Sequence, residues 1–517
     1  MSVETRSPES LRGASRRGRP VAILTVVLVA ALAINVETTI VNVALPTLNS
    51  ALGASTKALQ WIVDAYNLAF AALVLAGGTV GDRFGRRGTL IAGLLLFAVG
   101  SVGAALCTST GPLIGMRLVM GVASALIFPT TLAIITDTFR EARQRAAAIG
   151  VWGAVTGLGV AIGPILGGAL LENFWWGSLF LALAPIALAA ALAAPIVIPG
   201  ASPGRQHRLD RGGVVLSVIM LGALVYTIIE APDRGWASGA TLTGFAVALV
   251  AAVGFAWWER RQRDPLLDVS LFTNLRFSAA SGAVTIAFFA LFGFIFLITQ
   301  FMQLLQGYSP LETGVRILPV ALSIAVGSIL GTRLAVTRVG TKVVVFAGLL
   351  LLAGSFFWIA ASDLGITYPT MAAQMALLGG GLGLTTAPAT DSIMGVVRPE
   401  QAGAGSAVND ATRQVGGTLG VAVIGSIFST LYIRHLADSQ PLALLPSPVQ
   451  SVAREGLAQG LAVSAQAPAP IAGAVRSAVD NAFLVGLQAG CLTAATVCVA
   501  GAVIVLAVLP AHPRASA

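Results

Sequence analysis

Charge is scarce in this chain: Asp, Glu, Lys and Arg make up only 10% of its 517 residues, and the mean hydropathy is +0.86. That composition excludes a water-soluble globule, because the apolar surface far exceeds what one water-facing core could hide. Cysteine and histidine are equally sparse. Cys107, Cys491 and Cys498 all fall in apolar runs with no CxxC or metal-ligand spacing, which leaves them as small packing residues. His207, His435 and His512 lie outside the long apolar runs, so a proton carrier within those runs has to be a carboxylate. No Gly-x4-Gly-Lys-Ser/Thr phosphate loop is present and no loop gathers a catalytic cluster. The expectation is a protein that is not an enzyme, holds no metal and needs no cofactor.

What the chain has in quantity is apolar stretches of about 20 residues, the length that crosses a bilayer core. Backbone groups in lipid must be satisfied internally, and runs this long are helical rather than the short alternating strands of a barrel. The expected fold class is an all-α integral membrane protein. Spans are placed near 21–46, 58–80, 88–108, 112–136, 145–170, 178–198, 212–230, 240–258, 277–303, 312–335, 341–361, 366–390, 402–430 and 480–509. The first run follows Arg12, Arg16, Arg17 and Arg19 and is too long for a signal peptide, so it is read as a retained helix. Fourteen spans put both termini on one side. With that side cytoplasmic, most of the 31 basic residues fall in inner segments, as the positive-inside rule requires. The net charge of +9 is thereby topology rather than a nucleic-acid footprint.

The spans divide into a basic tail (1–20), a six-helix half (21–198), a two-helix insertion with basic linkers (199–276), a second six-helix half (277–509) and a short tail (510–517). Asp82-Arg83-Phe84-Gly85-Arg86-Arg87 after the second span is echoed by Thr337-Arg338-Val339-Gly340-Thr341-Lys342 after the tenth, which supports two related halves. Repeated halves around a midplane site are how secondary transporters achieve alternating access. The longest loop, 431–479, is rich in Ala, Pro, Ser and Gln and reads either as a poorly ordered outer loop or as one holding an interfacial helix.

Charges inside spans cost about 2.5–3.5 kcal/mol on insertion scales and usually face a cavity or a partner. Glu37 in the first span, Asp64 in the second, Arg117 in the fourth and Asp410 in the thirteenth are such charges, with Asp391 and Arg413 nearby. Either the carboxylates only pair with Arg117 and Arg413 to hold helices together, or they bind protons and cations for exchange. Glu37 and Asp410, one per half, lead the second reading. In the fifth span Gly159, Gly163 and Gly167 share a face beside Pro164 and Gly168, which suits a helix that bends or slides closely against a neighbour. At the inner face Gly78, Asp82, Arg83, Gly85, Arg86 and Arg87 form a charged turn whose spacing suggests a latch, with Asp137 as a further member.

These motifs resemble the major facilitator superfamily, and in particular its fourteen-span drug:proton antiporter branch of multidrug and quaternary-ammonium exporters. Gly78 to Arg87 is similar to the loop between spans two and three of that superfamily, Arg117 with Gly121 to its span-four motif, and Gly159 to Gly168 to its span-five antiporter motif. Val36 to Pro46 resembles the first-span motif of the branch, with Glu37 where Asp is usual. Tyr308-Ser309-Pro310 and Gly403 to Asp410 are also similar to segments of the branch. Two departures stand out. Met120 replaces a glutamine often found three residues after the span-four arginine, and Trp175-Trp176-Gly177 replaces a Trp-Arg-Trp pattern.

The resemblance implies a major facilitator fold, roles for Glu37, Asp64 and Asp410 in proton coupling or cation recognition, and tuning of a carboxylate by Arg117. The combined expectation is a plasma-membrane exporter, functional as a monomer, whose partners are protons, lipid and small amphipathic compounds, cationic ones foremost. A roomy apolar pocket with few polar anchors suits broad substrates, and its lining candidates are Trp61, Tyr66, Asn67, Phe288, Phe292, Gln300, Gln303 and Asn409. The rivals are an exporter dedicated to one metabolite or antibiotic and, more remotely, a membrane sensor that transports nothing.

Overall fold

The computed structural model describes residues 8–200, 210–337, 339–397 and 402–509. Most of the first basic linker, Arg338 of the internal echo, Arg398 and the tail residues 1–7 and 510–517 lie outside the described residues. The described residues are helical throughout, with no strand among them.

The first half contains α1 (Pro8–Leu52), α2 (Thr56–Phe84), α3 (Arg86–Ala105), α4 (Thr110–Thr138), α5 (Ala142–Asn173), the single turn α6 (Ser178–Leu181) and α7 (Leu183–Val197). Local signals set these bounds. Ser55 caps α2 by accepting from the Ala58 amide, and Gly85 ends it at φ +95°, a conformation that suits a residue without a Cβ and turns the chain into α3. The sixth expected span is divided at Ala182 into α6 and α7.

The insertion is a hairpin of α8 (Arg211–Arg234) and α9 (Gly239–Glu259). Leu221, Val225, Ile228 and Ile229 of α8 pack with Leu68, Ala71 and Ala72 of α2 in an apolar cluster, and Ser217 donates to the Ala72 carbonyl at 2.7 Å. Trp258 Nε1 donates to Asp210, the cap of α8, at 2.8 Å, which holds the open end of the hairpin together.

The second half holds α10 (Leu275–Gln300), which runs into a π-helical turn over Phe301–Leu305, then α11 (Pro310–Arg316), α12 (Leu318–Thr337), α13 (Gly340–Ala360), α14 (Tyr368–Met394), α15 (Ala402–Ala437) and α19 (Ala469–Val508). Among the described residues thirteen helices are long and apolar enough to cross a membrane. The fourteenth, α14, has 27 residues, but its run of glycines and threonines dilutes the hydropathy. Those residues buy close packing. A Cβ on Gly381 would lie 2.7 Å from the Gly348 carbonyl oxygen of α13, and one on Gly383 would crowd the α12 backbone.

The segment 431–479 is mostly helical. α15 runs on to Ala437, α19 begins at Ala469, and α16 (Gln440–Ala443), α17 (Ser447–Arg454) and α18 (Leu457–Gln466) lie between. Polar groups tie this cap to the α1–α2 turn in the other half. The Thr56 amide donates to the Glu455 carbonyl at 2.9 Å, and Gln459 exchanges bonds with Asn49 and the Ala54 carbonyl at 3.0 and 3.1 Å.

The halves meet closely at the end of the bundle that carries this cap. Gln303 donates to the Val43 carbonyl of α1 at 2.8 Å, Ser309 donates to Glu172, and Gly168 and Gly314 let the backbones of α5 and α11 approach. Toward the other end the fit around α5 loosens. Gly150, Gly153 and Gly157 of α5 have no atom near where a Cβ would sit, so this stretch of α5 borders open space.

Glycines decide where helices within a half can touch. A Cβ on Gly77 would collide with the Ala125 carbonyl of α4, whereas one on Gly78 would meet only Pro129 Cβ at 3.8 Å. Gly77→Ala is expected to destabilise by about 1–3 kcal/mol through overpacking, with Gly78→Ala close to neutral. Thermal unfolding of the two purified variants in detergent checks this, and equal melting temperatures would contradict the assignment.

Candidate functional site

The first-span motif places Glu37, Thr38, Thr39 and Asn42 on α1, all buried. The hydroxyls of Thr38 and Thr39 and the Nδ2 of Asn42 bond back to carbonyls three or four residues earlier, while Asn42 Oδ1 is buried without a partner among the described residues. Glu37 has no such local partner. Its partner is Arg117 of α4, whose Nη1 donates to Glu37 Oε1, and both side chains are essentially sealed from solvent at 0% and 1% exposure.

Arg117 is held on every side. Its Nε donates to the Ile62 carbonyl of α2 at 2.8 Å, and its guanidinium lies 4.5 Å from the Tyr66 ring centroid and 5.9 Å from that of Phe180. Tyr66 is fixed by contacts with the Ser124 hydroxyl at 2.9 Å and the Ile34 carbonyl at 3.3 Å. One buried ion pair thus joins α1, α2, α4 and α6. Met120 packs near Gly100, and the contacts of Arg117 in this region are the Ile62 carbonyl and the Tyr66 ring. Ser124 and Phe180 were not singled out in the sequence. Ser124 has a signal, being two turns from Arg117 on one helical face.

A second polar row runs along α2. Gln60, Asp64 and Asn67 recur at intervals of four and three, so they share a face. Gln60 Nε2 reaches α15 in the other half, donating to the carbonyls of Val421 and Ala422 and to Ser426 at 3.2–3.3 Å. Asp64 and Asn67 are buried at 0% and 1% exposure, and both polar atoms of each lack a partner among the described residues. Four such atoms in one row are unusual and favour a hydrated or ligand-binding position.

Asp410 on α15 is 9% exposed and faces Arg413 at 3.8 Å. No hydrogen bond or ion pair among the described residues joins it to Glu37. Of the lining candidates, Tyr66 belongs to the ion-pair cluster and Asn67 to the α2 row. Trp61 packs on Tyr226 of the inserted hairpin at a centroid distance of 6.0 Å. Phe288 and Phe292 lie together at 6.3 Å, Gln300 bonds within its own helix, Gln303 crosses to α1, and Asn409 accepts from Thr390 of α14.

The charged turn gathers Asp82, Arg86 and Asp137 as its spacing suggested. Arg86 bonds Asp82 at 2.9 Å, Asp137 at 2.5 Å and the Ala133 carbonyl at 2.9 Å. Arg87 reaches the Ile198 carbonyl at the end of α7, while Arg83 lies on the Phe84 ring. All these partners belong to the first half. The glycine motif of α5 faces α1 around Glu37. A Cβ on Gly159 would lie 2.8 Å from Asn35 Cβ, one on Gly163 would strike Thr39, and one on Gly167 would lie 2.9 Å from Ile40 Cγ1. Next to that row, Gly168 meets Leu311 and Pro164 meets Gly314 across the halves.

The family model for the Major Facilitator Superfamily matches residues 26–421, most of the chain and parts of both halves. The chain belongs to that superfamily. Multidrug resistance protein Stp of Mycobacterium tuberculosis is 34% identical over 436 residues, covering 84% of this chain and 80% of Stp. The tetracenomycin C resistance and export protein of Streptomyces glaucescens is 32% identical, covering 99% of this chain and 97% of its own length. A crystal structure of a bacterial homologue of the human lysosomal transporter Spinster, inward-facing and occupied, superposes with a TM-score of 0.65 at 16% identity, covering 95% of this chain and 97% of that one. That likeness shows the major facilitator fold. The protein is accordingly a multi-pass membrane transporter.

Removing one member of a buried ion pair leaves an uncompensated charge, at a cost of about 3–5 kcal/mol. Arg117→Met is therefore expected to lower the thermal stability of the purified protein sharply. Adding Glu37→Gln to it should restore much of the loss, and an additive double variant would show that the pair does not hold the helices.

Proposed function

We propose that this transporter exports amphipathic drugs, cations foremost among them, across the plasma membrane in exchange for protons. The observation that carries the reading is the placement of charge: a sealed Glu37–Arg117 pair in one half, and Asp410 in the other beside a partly solvent-accessible Arg413. Protonation of Glu37 would weaken its hold on Arg117. It would thereby loosen α1 against α4 and α2, so proton uptake and helix packing are linked. The unpaired oxygens of Asp64 and Asn67 supply acceptors for a cationic group on the α2 face that meets α15. Export of drugs is further supported by the names of the relatives Stp and the tetracenomycin C export protein.

The bundle end carrying Arg83, Arg86 and Arg87 is the cytoplasmic one in this reading, with both termini on that side. The open stretch of α5 then faces the cytoplasm and the cap of α16–α18 faces outward, which is an inward-open stage of alternating access. Each entering charge releases about 2.3 kcal/mol per 100 mV and each pH unit adds about 1.4 kcal/mol per proton. Two protons per cycle would drive a steep drug gradient, with no cofactor and no partner chain.

Ethidium efflux from cells expressing wild type, Glu37→Gln or Asp410→Asn, with and without an uncoupler, tests this. Wild-type efflux should stop with the uncoupler, and at least one substitution should cut the rate tenfold or more at equal protein level. Efflux indifferent to the uncoupler would refute proton coupling. A wild type that moves no member of a broad dye and drug panel would favour a dedicated exporter of one compound.

A further inference from the structure

The second half carries a cation that is only loosely paired. Arg413 lies on α15, a helix of 36 residues, one turn after Asp410. A guanidinium at that depth is costly against lipid, so it looks into protein or an internal cavity. Here 34% of the side chain is solvent-accessible, against 1% for Arg117. Arg413 therefore borders an open interior.

Its surroundings differ from those of Arg117 in a second way. Arg117 spends its Nε on a carbonyl and its Nη1 on Glu37. Arg413 makes a long contact with Asp410, at 3.8 Å through Nη1, and its Nε is buried with no hydrogen-bond partner among the described residues. The next residue along the helix, Gln414, has an Oε1 that is also without a partner among them. The Arg413 guanidinium lies 4.7 Å from the Phe288 ring centroid, and Phe292 follows one turn along α10. Gly417, one turn beyond Arg413, packs on the buried Phe292 ring at 3.2 Å from its would-be Cβ, which fixes α10 against this face of α15 and leaves the half-buried Phe288 beside Arg413.

We propose that Arg413, lying on the face of Phe288 with donors to spare, recognises an acidic oxygen of the transported compound, so that the exported substrates include aromatic weak acids and zwitterions. The proposal rests on the export reading above. The planar guanidinium matches the two oxygens of a carboxylate or the oxygen of a phenolate, the substrate ring packs along the half-buried Phe288, and Gln414 accepts from a substrate donor. A zwitterion also uses Asp410, which the loose ion pair leaves available for its cationic end.

The test compares everted membrane vesicles holding wild type, Arg413→Gln or Arg413→Lys. The probes are ethidium as a cation, nalidixate as an aromatic carboxylate and norfloxacin as an aromatic zwitterion. Arg413→Gln should lower the rate for nalidixate and norfloxacin at least tenfold more than for ethidium, and Arg413→Lys, which keeps the charge without the planar fork, should fall between. An equal loss for all three probes, or no loss for the acids, overturns the proposal. Calorimetric titration of purified wild type with nalidixate gives a readout independent of transport. Wild-type binding that weakens at least tenfold in Arg413→Gln supports the assignment. Ethidium transport without binding or transport of nalidixate overturns it and leaves export standing. If none of the probes moves, the export reading falls, and the binding measurement decides the role of Arg413.

Discussion

A carboxylate and a guanidinium, both withdrawn from solvent, can persist in a low-dielectric bundle only as partners, and the Glu37–Arg117 pair meets that condition through Glu37 Oε1. Its position draws the rest of the first half around it. Arg117 needs a second acceptor and finds the Ile62 carbonyl, which sets the register of α2 against α4. It needs a surface for its delocalised charge and finds Tyr66, which in turn needs Ser124. The same pair places the polar face of α1 where the glycine row of α5 has to pack. In this arrangement one ion pair bears on the contacts of α1, α2, α4 and α5 together.

Close approach without side chains is the other recurring device. Glycine lets α2 meet α4 at Gly77, α5 meet α1 at Gly163, α14 meet α12 and α13, and α10 meet α15 at Gly420. In lipid, where helix faces gain little from burying apolar area, dispersion contacts between backbones are the main source of attraction. Such interfaces are flat. They let one helix shift against another without forcing large side chains out of their rotamers.

The two ends of the bundle divide the work. At one, Gln60, Gln303, Gly168 and the cap of α16–α18 join the halves through a handful of polar bonds and glycine contacts, each weak enough to be exchanged. At the other, the Asp82–Arg86–Asp137 cluster binds α2, α3 and α4 to one another and leaves the second half free. The first half is thus stiffened where it is unpartnered, and it can move as a body. The inserted hairpin rides on α2 and α15, so it spans the seam between the halves without entering it.

The long apolar runs settled by themselves that the chain is a helical membrane protein, since lipid leaves backbone polar groups no other economical partner. Spacing alone also marked Glu37, Arg117, the Asp82–Arg86 turn and the Gly159–Gly167 face, because each needs only helical periodicity to be seen. Tertiary structure decided who meets whom. Trp61 turned to the hairpin rather than inward, Gly77 rather than its neighbour Gly78 carried the α2–α4 contact, and the segment 431–479 folded into a cap because Glu455 and Gln459 found partners in the α1–α2 turn. These outcomes depend on hydrogen bonds and steric contacts between residues hundreds of positions apart. A one-dimensional pattern carries the face that a residue occupies, but not the partner that this face will find.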